Sequence, residues 1–416
     1  MSTPRETFAI VGAALAGAKA AETLRSEGFD GRVVLIGAED ELPYERPPLS
    51  KEYLRGEAGR EKVYVHEEGF YDEHEIELRR GRAATSVNTA TSELALDDGE
   101  RLRYDRLLLT TGAGPRRLSV PGAELDGISY LRSVEDSDAL RAQLDGASRL
   151  VVVGAGWIGA EVAASARQGG LDVTVLDPLS VPLERVLGAE VGAIYRDIHV
   201  DHGVEMLLRT GVEAFEGASS VERVRTSDGR RLDCDLVVVG VGVEPRAQLA
   251  AQAGIAVGDG IVVDDRLQTS VPGVFAAGDV AAADHPFYGD RIRVEHWANA
   301  LHQGPHAARA MLGAAEPYER LPYFFSDQYE VGMEYTGFAR SWDRVVFRGD
   351  PATREFVAFW IEGDQVVAGM NVNVWDVIEP IRELIRGRVP VDDRRLCDPD
   401  VPLTELAPRE EGVTGD

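Results

Sequence analysis

The chain has 416 residues, with 44 Lys and Arg against 71 Asp and Glu, for a formal net charge of −27 at pH 7. So acidic a surface repels nucleic acid and anionic lipid, and no apolar run reaches the ~20 residues of a membrane span, so neither partner is expected. The two cysteines, Cys234 and Cys397, exclude a disulfide scaffold, a multi-cysteine zinc site and a CxxC redox pair. No metal site is expected. Residues 1–7 carry no charged-then-apolar leader, so a cytoplasmic location is the expectation.

The first element is the apolar run Thr7–Val11, which stops at Gly12. The turn Gly12-Ala13-Ala14-Leu15-Ala16-Gly17 leads into a helix-like stretch, 18–26, and then a second buried strand, Arg32–Ile36, followed by Glu39 and Glu41. Strand, glycine turn, helix and strand make a βαβ unit. The same pattern returns at an apolar strand, Arg149–Val153, with the turn Gly154-Ala155-Gly156-Trp157-Ile158-Gly159, a helix over 160–168 and a strand over 171–176 that ends at Asp177. Apolar runs that end in glycine turns recur at Leu107 to Gly112, Leu236 to Gly240 and Val274 to Gly278. Helical spacing follows over 298–312, and from Tyr318 the texture becomes aromatic and strand-like, closing with a helix over 377–386. The expected fold class is α/β: two Rossmann-like dinucleotide-binding domains of glutathione-reductase type and a C-terminal α+β domain. The domain of the first turn is expected to be split, over 1–112 and 240–317. The domain of the second turn occupies 113–239, the C-terminal domain 318–406, and a flexible tail 407–416.

A GxGxxG turn sets a helix N-terminus and bare amides against a pyrophosphate, and an acid roughly 20 residues on accepts hydrogen bonds from a ribose diol. The second turn fits fully, with Gly154, Gly156, Gly159 and Asp177. The first carries Ala14 at the middle position, with Glu39 or Glu41 as the ribose acceptor. Two strand- and helix-flanked turns in one chain point to two dinucleotides and an electron relay. Asp177 should repel a 2′-phosphate and so favour NADH over NADPH. Alternatively, Asp177 only caps a turn. Arg185 lies close enough in sequence to reach a phosphate.

Together with these turns, the strings Arg46-Pro47-Pro48-Leu49-Ser50-Lys51, Thr111-Gly112-Ala113, Phe275-Ala276-Ala277-Gly278-Asp279, Glu295-His296-Trp297 and Phe325-Ser326-Asp327-Gln328 resemble the FAD-dependent, NADH-using ferredoxin reductases. These enzymes serve haem monooxygenases and ring-hydroxylating dioxygenases, and the resemblance runs over nearly the whole chain. It implies that Gly12, Ala14, Leu15, Ala16 and Gly17 hold the FAD pyrophosphate and Glu39 its ribose. Arg46 and Lys51 would lie along the flavin, and Ala84 and Arg132 would support the adenine and ribityl side. Thr111, Gly112, Gly278 and Asp279 complete the FAD set, with Trp297 beside the ring. Gly154, Gly156, Trp157, Ile158, Gly159, Asp177, Arg185 and Gly242 would bind NADH. Phe325 stands where relatives often carry tryptophan.

The resemblance further implies an ion pair between Lys51 and Glu161 that joins the nucleotide domains at the flavin. A cation there would offset the negative charge that a hydride brings. A solvated Lys51 and an ordinary helix carboxylate are the bland alternative. The implied acceptor is a small iron–sulfur ferredoxin, with a monooxygenase or dioxygenase further downstream. Docking on so acidic a chain needs a local basic patch, for which Arg79, Arg80, Arg116, Arg117, Arg340, Arg344 and Arg348 are candidates. A flavin NADH oxidase or quinone reductase and a redox-sensing flavoprotein are the alternatives. A thiol reductase would need a cysteine near Pro47 to Lys51, and none is there.

Overall fold

The computed structural model describes residues 5–406. Two compact units share them. One takes the chain up to Leu49, Gly56–Arg116 and Val243–Arg320; the other takes Ser50–Arg55, Arg117–Gly242 and the chain from Leu321 onward. The tail expected at 407–416 lies outside the described residues.

The first unit is built on β1 (Thr7–Val11), α1 (Leu15–Ser26) and β2 (Arg32–Ile36). Its parallel sheet runs in the order Val274–Ala276, Arg106–Leu109, β1, β2, Ile76–Arg79. Phe8, Ile10, Val33, Leu35, Leu107 and Leu108 are buried, as continuous apolar strands covered on both faces must be. The helix Trp297–Met311 lies tight against α1 because Gly304 has no side chain: a Cβ there would sit 2.2 Å from the Ala16 carbonyl oxygen. Two smaller antiparallel sheets and a four-stranded mixed sheet complete this unit.

The second unit repeats the plan with β3 (Arg149–Val153), α2 (Trp157–Gln168) and β4 (Asp172–Asp177). Its parallel sheet has the order Glu205–Leu208, β4, β3, Leu236–Val239, Ile128–Ser129. After β4 comes an 18-residue helix, α3 (Glu184–Asp201), kinked at Gly188, where φ is 79°. A side chain at Gly188 would strike the Trp342 ring 2.7 Å away. The C-terminal part is an antiparallel sheet of β5 (Tyr323–Gln328), β6 (Val331–Gly337), Gln365–Val372, Glu355–Glu362 and Arg344–Asp350. The Trp360 indole on this sheet donates to the Leu187 carbonyl at 3.1 Å and anchors the sheet to α3. Parallel α/β sheets joined to a C-terminal antiparallel sheet are the expected fold class. The sequence pattern had pointed to neither α3 nor the helix Val134–Leu144. No helix among the described residues is long and apolar enough to cross a membrane.

Candidate active site

Both glycine turns are shaped by the protein itself at their first and third positions. Gly12 has φ of 117°, and a Cβ there would meet the Thr110 carbonyl oxygen at 2.2 Å; one on Gly17 would meet the Gly12 oxygen at 2.1 Å. Gly154 and Gly159 stand in the same relation: a Cβ on Gly159 would lie 1.9 Å from the Gly154 oxygen. The middle positions differ. Ala14 sits at φ −110° and ψ −165°, extended backbone that any residue adopts. A methyl on Gly156 would find its nearest protein atom 4.0 Å away, so packing alone does not require glycine there. Neither α1 nor α2 has a side-chain cap or an acid in its first turn. Their first amides are therefore left for an anion.

In the first unit the Glu39 carboxylate accepts from the Tyr44 hydroxyl, and an Arg46 Nη2 stands 3.9 Å from it. Glu41 instead takes Arg60 at 2.7 Å and Tyr64 at 2.8 Å. Burial lowers the Arg46 pKa, but Tyr44, Glu39 and Asp279 outweigh it and hold the guanidinium above its ordinary value. The Thr110 hydroxyl donates to the Gly12 carbonyl at 2.8 Å, and the Thr111 hydroxyl to the Arg246 carbonyl at 2.7 Å. The Gly278 amide donates to Gln303 Oε1 at 2.8 Å, next to Asp279. Trp297 opens its helix, and Ala84 opens the strand Ala84–Asn88. Burial pushes His296 down to about 4, which leaves it neutral.

In the second unit Asp177 is buried and both of its oxygens are engaged by backbone. Oδ2 accepts from the Ala155 amide at 2.7 Å, inside the glycine turn, and Oδ1 from the Leu179 amide at 2.8 Å. Its charge thus sits at the turn while also capping the end of β4. Trp157 packs edge-on to Phe324, ring centroids 4.9 Å apart. Ile158 is 41% exposed beside it, and Arg185 stands in the first turn of α3. Gly242 has φ of 102°, and the Arg132 amide donates to Asp136 at 3.0 Å.

The charged pair belongs to this unit as well. Lys51 Nζ lies 2.8 Å from Glu161 Oε2, with side-chain exposures of 8% and 5%. The solvated alternative for Lys51 does not hold. Ser50 Oγ donates to the same oxygen at 2.5 Å, and Ser326 Oγ donates to Glu161 Oε1 at 2.7 Å. Three donors on one carboxylate compensate its removal from water. The Phe325 ring centroid lies 5.9 Å from Lys51 Nζ. Ser50 and Ser326 were not singled out by sequence reasoning. The signal was present in β5, where Phe324, Ser326 and Gln328 form the buried face, so two polar residues stand on a face that alternation makes apolar.

Of the arginines considered for docking, Arg79 pairs with Glu77 and Glu100. Arg344 makes a two-pronged contact with Asp393 at 2.7 and 2.8 Å, and Arg348 donates to the Val401 carbonyl at 2.6 Å. Arg116 donates to the Val243 carbonyl at 3.0 Å, and Arg117 lies over the Tyr130 ring. Arg80 and Arg340 are exposed.

Residues 6–304 match the family model of the pyridine nucleotide-disulphide oxidoreductases, and residues 323–407 match that of the reductase C-terminal domain. The chain belongs to the pyridine nucleotide-disulphide oxidoreductase family. Putidaredoxin reductase of Pseudomonas putida is 38% identical over 407 residues, covering 96% of each chain. The ferredoxin–NAD(+) reductase component of the anthranilate 1,2-dioxygenase system of Burkholderia cepacia is 39% identical, covering 96% of this chain and 98% of its own. Among solved structures, a ferredoxin reductase from Rhodopseudomonas palustris superposes with a TM-score of 0.94 at 35% identity, covering 97% of this chain and 100% of its own. The covalent putidaredoxin reductase–putidaredoxin complex superposes with a TM-score of 0.93 at 38% identity, covering 97% of this chain and 98% of the other.

Membership in the pyridine nucleotide-disulphide oxidoreductases makes the chain an oxidoreductase and implies FAD and NAD(H). The residues present fit both groups: two uncapped helix N-termini for two pyrophosphates, and a glycine at 156 that protein packing does not demand. The redox disulfide of the family name has no counterpart here. Cys234 and Cys397 are free thiols, and burial pushes Cys234 up to about 12.

Proposed function

We propose that the chain is an NADH-dependent flavoprotein that passes electrons singly to a small iron–sulfur ferredoxin, which feeds a haem monooxygenase or a ring-hydroxylating dioxygenase. The observation that carries this reading is similarity along 96% of the chain, C-terminal region included, to reductases named for ferredoxin partners. FAD, when bound, supplies the conversion of a two-electron donor into one-electron transfers. In this reading 1–112 and 240–317 form the FAD domain, 113–239 the NAD domain and 318–406 the closing domain, and the enzyme works in the cytoplasm.

The turn residues Gly12, Ala14, Leu15, Ala16 and Gly17 would hold the FAD pyrophosphate. Glu39 would take its ribose, and Arg46, Ala84, Thr111, Gly112, Arg132, Gly278, Asp279 and Trp297 would line the rest of the cofactor. Gly154, Gly156, Trp157, Ile158, Gly159, Arg185 and Gly242 would hold NADH, with the Asp177 charge turning away a 2′-phosphate. Lys51 would be the cation beside the flavin, and Glu161, with Ser50 and Ser326, fixes where its ammonium sits.

The test is an absorbance spectrum of the purified protein before and after anaerobic NADH, followed by cytochrome c reduction with and without added ferredoxin. A yellow protein that NADH bleaches, and that reduces cytochrome c only when ferredoxin is present, is the expected result. Equal cytochrome c rates without ferredoxin would move the assignment to an NADH oxidase or quinone reductase. A colourless protein that takes up no flavin would end it.

A further inference from the structure

Glu161 is the inner end of a longer buried hydrogen-bond chain, and every link lies in the second unit. Ser326 Oγ, which donates to Glu161 Oε1 at 2.7 Å, accepts from Gln328 Nε2 at 3.3 Å. Gln328 Oε1 faces His199 Nε2 at 3.0 Å, and His199 Nδ1 faces the Tyr329 hydroxyl at 3.1 Å. Ser326, Gln328 and His199 are each 1% exposed. The chain therefore runs from Glu161 on α2, through the buried face of β5, to His199 on α3.

Its direction is set by elementary donor and acceptor counting. A serine hydroxyl has one proton, and Ser326 gives it to Glu161, so Gln328 must present its amide NH2 to Ser326 and its oxygen to His199. An amide oxygen only accepts, so His199 carries its proton on Nε2. Nδ1 then accepts from Tyr329, which is the neutral imidazole. Burial, acting against the Gln328 hydrogen bond, holds His199 down at about 4, in agreement with a neutral ring. Moving the His199 proton from Nε2 to Nδ1 turns the amide over, takes the Ser326 proton away from Glu161 and leaves a buried carboxylate oxygen short of a donor. Apolar side chains of similar size would fill the same space without this dependence. At the outer end, Tyr329 is held at φ of 58°, left-handed for a bulky side chain, in the turn between β5 and β6, and its ring stacks on His202 at 3.7 Å.

We propose that His199 is a positioning residue for the Lys51–Glu161 pair, acting through Gln328 and Ser326 to keep Glu161 an acceptor-only carboxylate aimed at Lys51. The proposal rests on the reading that this pair serves flavin reduction by NADH. Glu161 is faced by Lys51, Ser50 and Ser326, with the charges of Asp327 and the hydroxyl of Tyr195 next to it. His199 is faced by Gln328, Tyr329 and His202, and Tyr329 by Arg167 and Glu330.

The experiment is anaerobic stopped-flow reduction of the flavin by NADH without ferredoxin, as a function of pH, on the holoenzyme and on His199→Phe, Gln328→Leu and Ser326→Ala. We expect the limiting rate at pH 6 to fall about tenfold, the equivalent of the ~1.4 kcal/mol of one charged hydrogen bond, with the NADH concentration at half-maximal rate changed less than about twofold. The loss should be deeper at pH 6 than at pH 8. Ser326→Thr, which keeps the hydroxyl, should restore both. An independent readout is infrared spectroscopy of the resting holoenzyme at pH 6: a carboxylic-acid carbonyl band should be present in Ser326→Ala, absent from the parent protein, and lost again when Glu161→Gln is added. A loss of rate equal at pH 6 and pH 8 with no new carbonyl band overturns the proposal, as does His199→Phe reducing at the parent rate. Should Gln328→Leu fail to fold, the Ser326→Ala and Ser326→Thr pair decides. A parent flavin that NADH does not bleach refutes the proposed function instead, which separates the two failures.

Discussion

Lys51 and Glu161 meet at 2.8 Å across 110 residues of sequence, in surroundings almost closed to solvent. Neither ion could be left alone there, because an unpaired buried charge costs several kcal/mol. Lys51→Met should therefore lower stability by about 3 kcal/mol and slow flavin reduction by NADH about 100-fold. Adding Glu161→Gln should return much of the stability and none of the rate. Denaturant melts and stopped-flow traces on both variants and the parent test this, and a full flavin-reduction rate in Lys51→Met refutes the electrostatic role.

The second glycine turn separates a folding requirement from a binding one. Gly159→Ala places a methyl 1.9 Å from a carbonyl oxygen and should cost more than about 2 kcal/mol of stability. Gly156→Ala meets nothing within contact and should change stability by no more than about 1 kcal/mol. It should weaken NADH binding about tenfold, since the methyl points where a pyrophosphate would approach. Thermal melts and NADH titrations compare the two.

Asp177 uses both oxygens on backbone amides at 2.7 and 2.8 Å. Asp177→Asn removes the charge and turns one acceptor into a donor facing an N–H. The expected result is a loss of about 1–2 kcal/mol in stability together with a smaller preference for NADH over NADPH. The ratio of kcat/KM for the two nicotinamides measures it, and an unchanged ratio would show that the carboxylate only caps the turn.

His199 is held neutral by burial at about 4, against 6.5 in the unfolded chain. Between those values the unfolded state binds the extra proton, so stability is lost as pH falls from 6.5 towards 4 and levels off below. The histidine contributes at most about 3 kcal/mol to that slope. Melts of His199→Phe between pH 4 and 7 should show the slope reduced by this amount relative to the parent, while the carboxylate contribution at lower pH stays.

Ferredoxin reduction should slow as salt rises, because association of charged surfaces is screened. Arg344→Ala should leave that salt slope unchanged, since its guanidinium is already committed to Asp393. Arg80→Glu and Arg340→Glu, which reverse exposed charges, are the variants expected to flatten it. Stopped-flow ferredoxin reduction at several ionic strengths distinguishes them.

The parallel sheets and both turns were legible because their information is local. Thr7–Val11 and Arg149–Val153 are unbroken apolar strands, and the third glycine of each turn is demanded by the carbonyl of the first, five residues back, although the first is demanded by Thr110 or Gly240 from far along the chain. Helix starts were read late: α1 begins at Leu15 and α2 at Trp157, because residues inside a glycine turn already take helical geometry. The charged pair was found through resemblance and not through spacing. Its neighbours Ser50 and Ser326 escaped notice because a serine is ordinary everywhere, and only the buried face of β5 makes it costly. Helix α3 was missed although Leu187, Val191, Tyr195 and Ile198 keep the helical period, because Gly188 and Gly192 within it read as turns.

The six residues Ser50–Arg55 have a practical consequence for dissecting the enzyme. A fragment made by deleting 117–242 and everything after 320 would retain this short excursion but lose Glu161 for Lys51, Asp138 for Tyr53 and Ser165 for Arg55. Such a truncation would expose a sticky, half-charged loop and invite precipitation. A soluble flavin-only module would have to be engineered around that segment, not merely cut out.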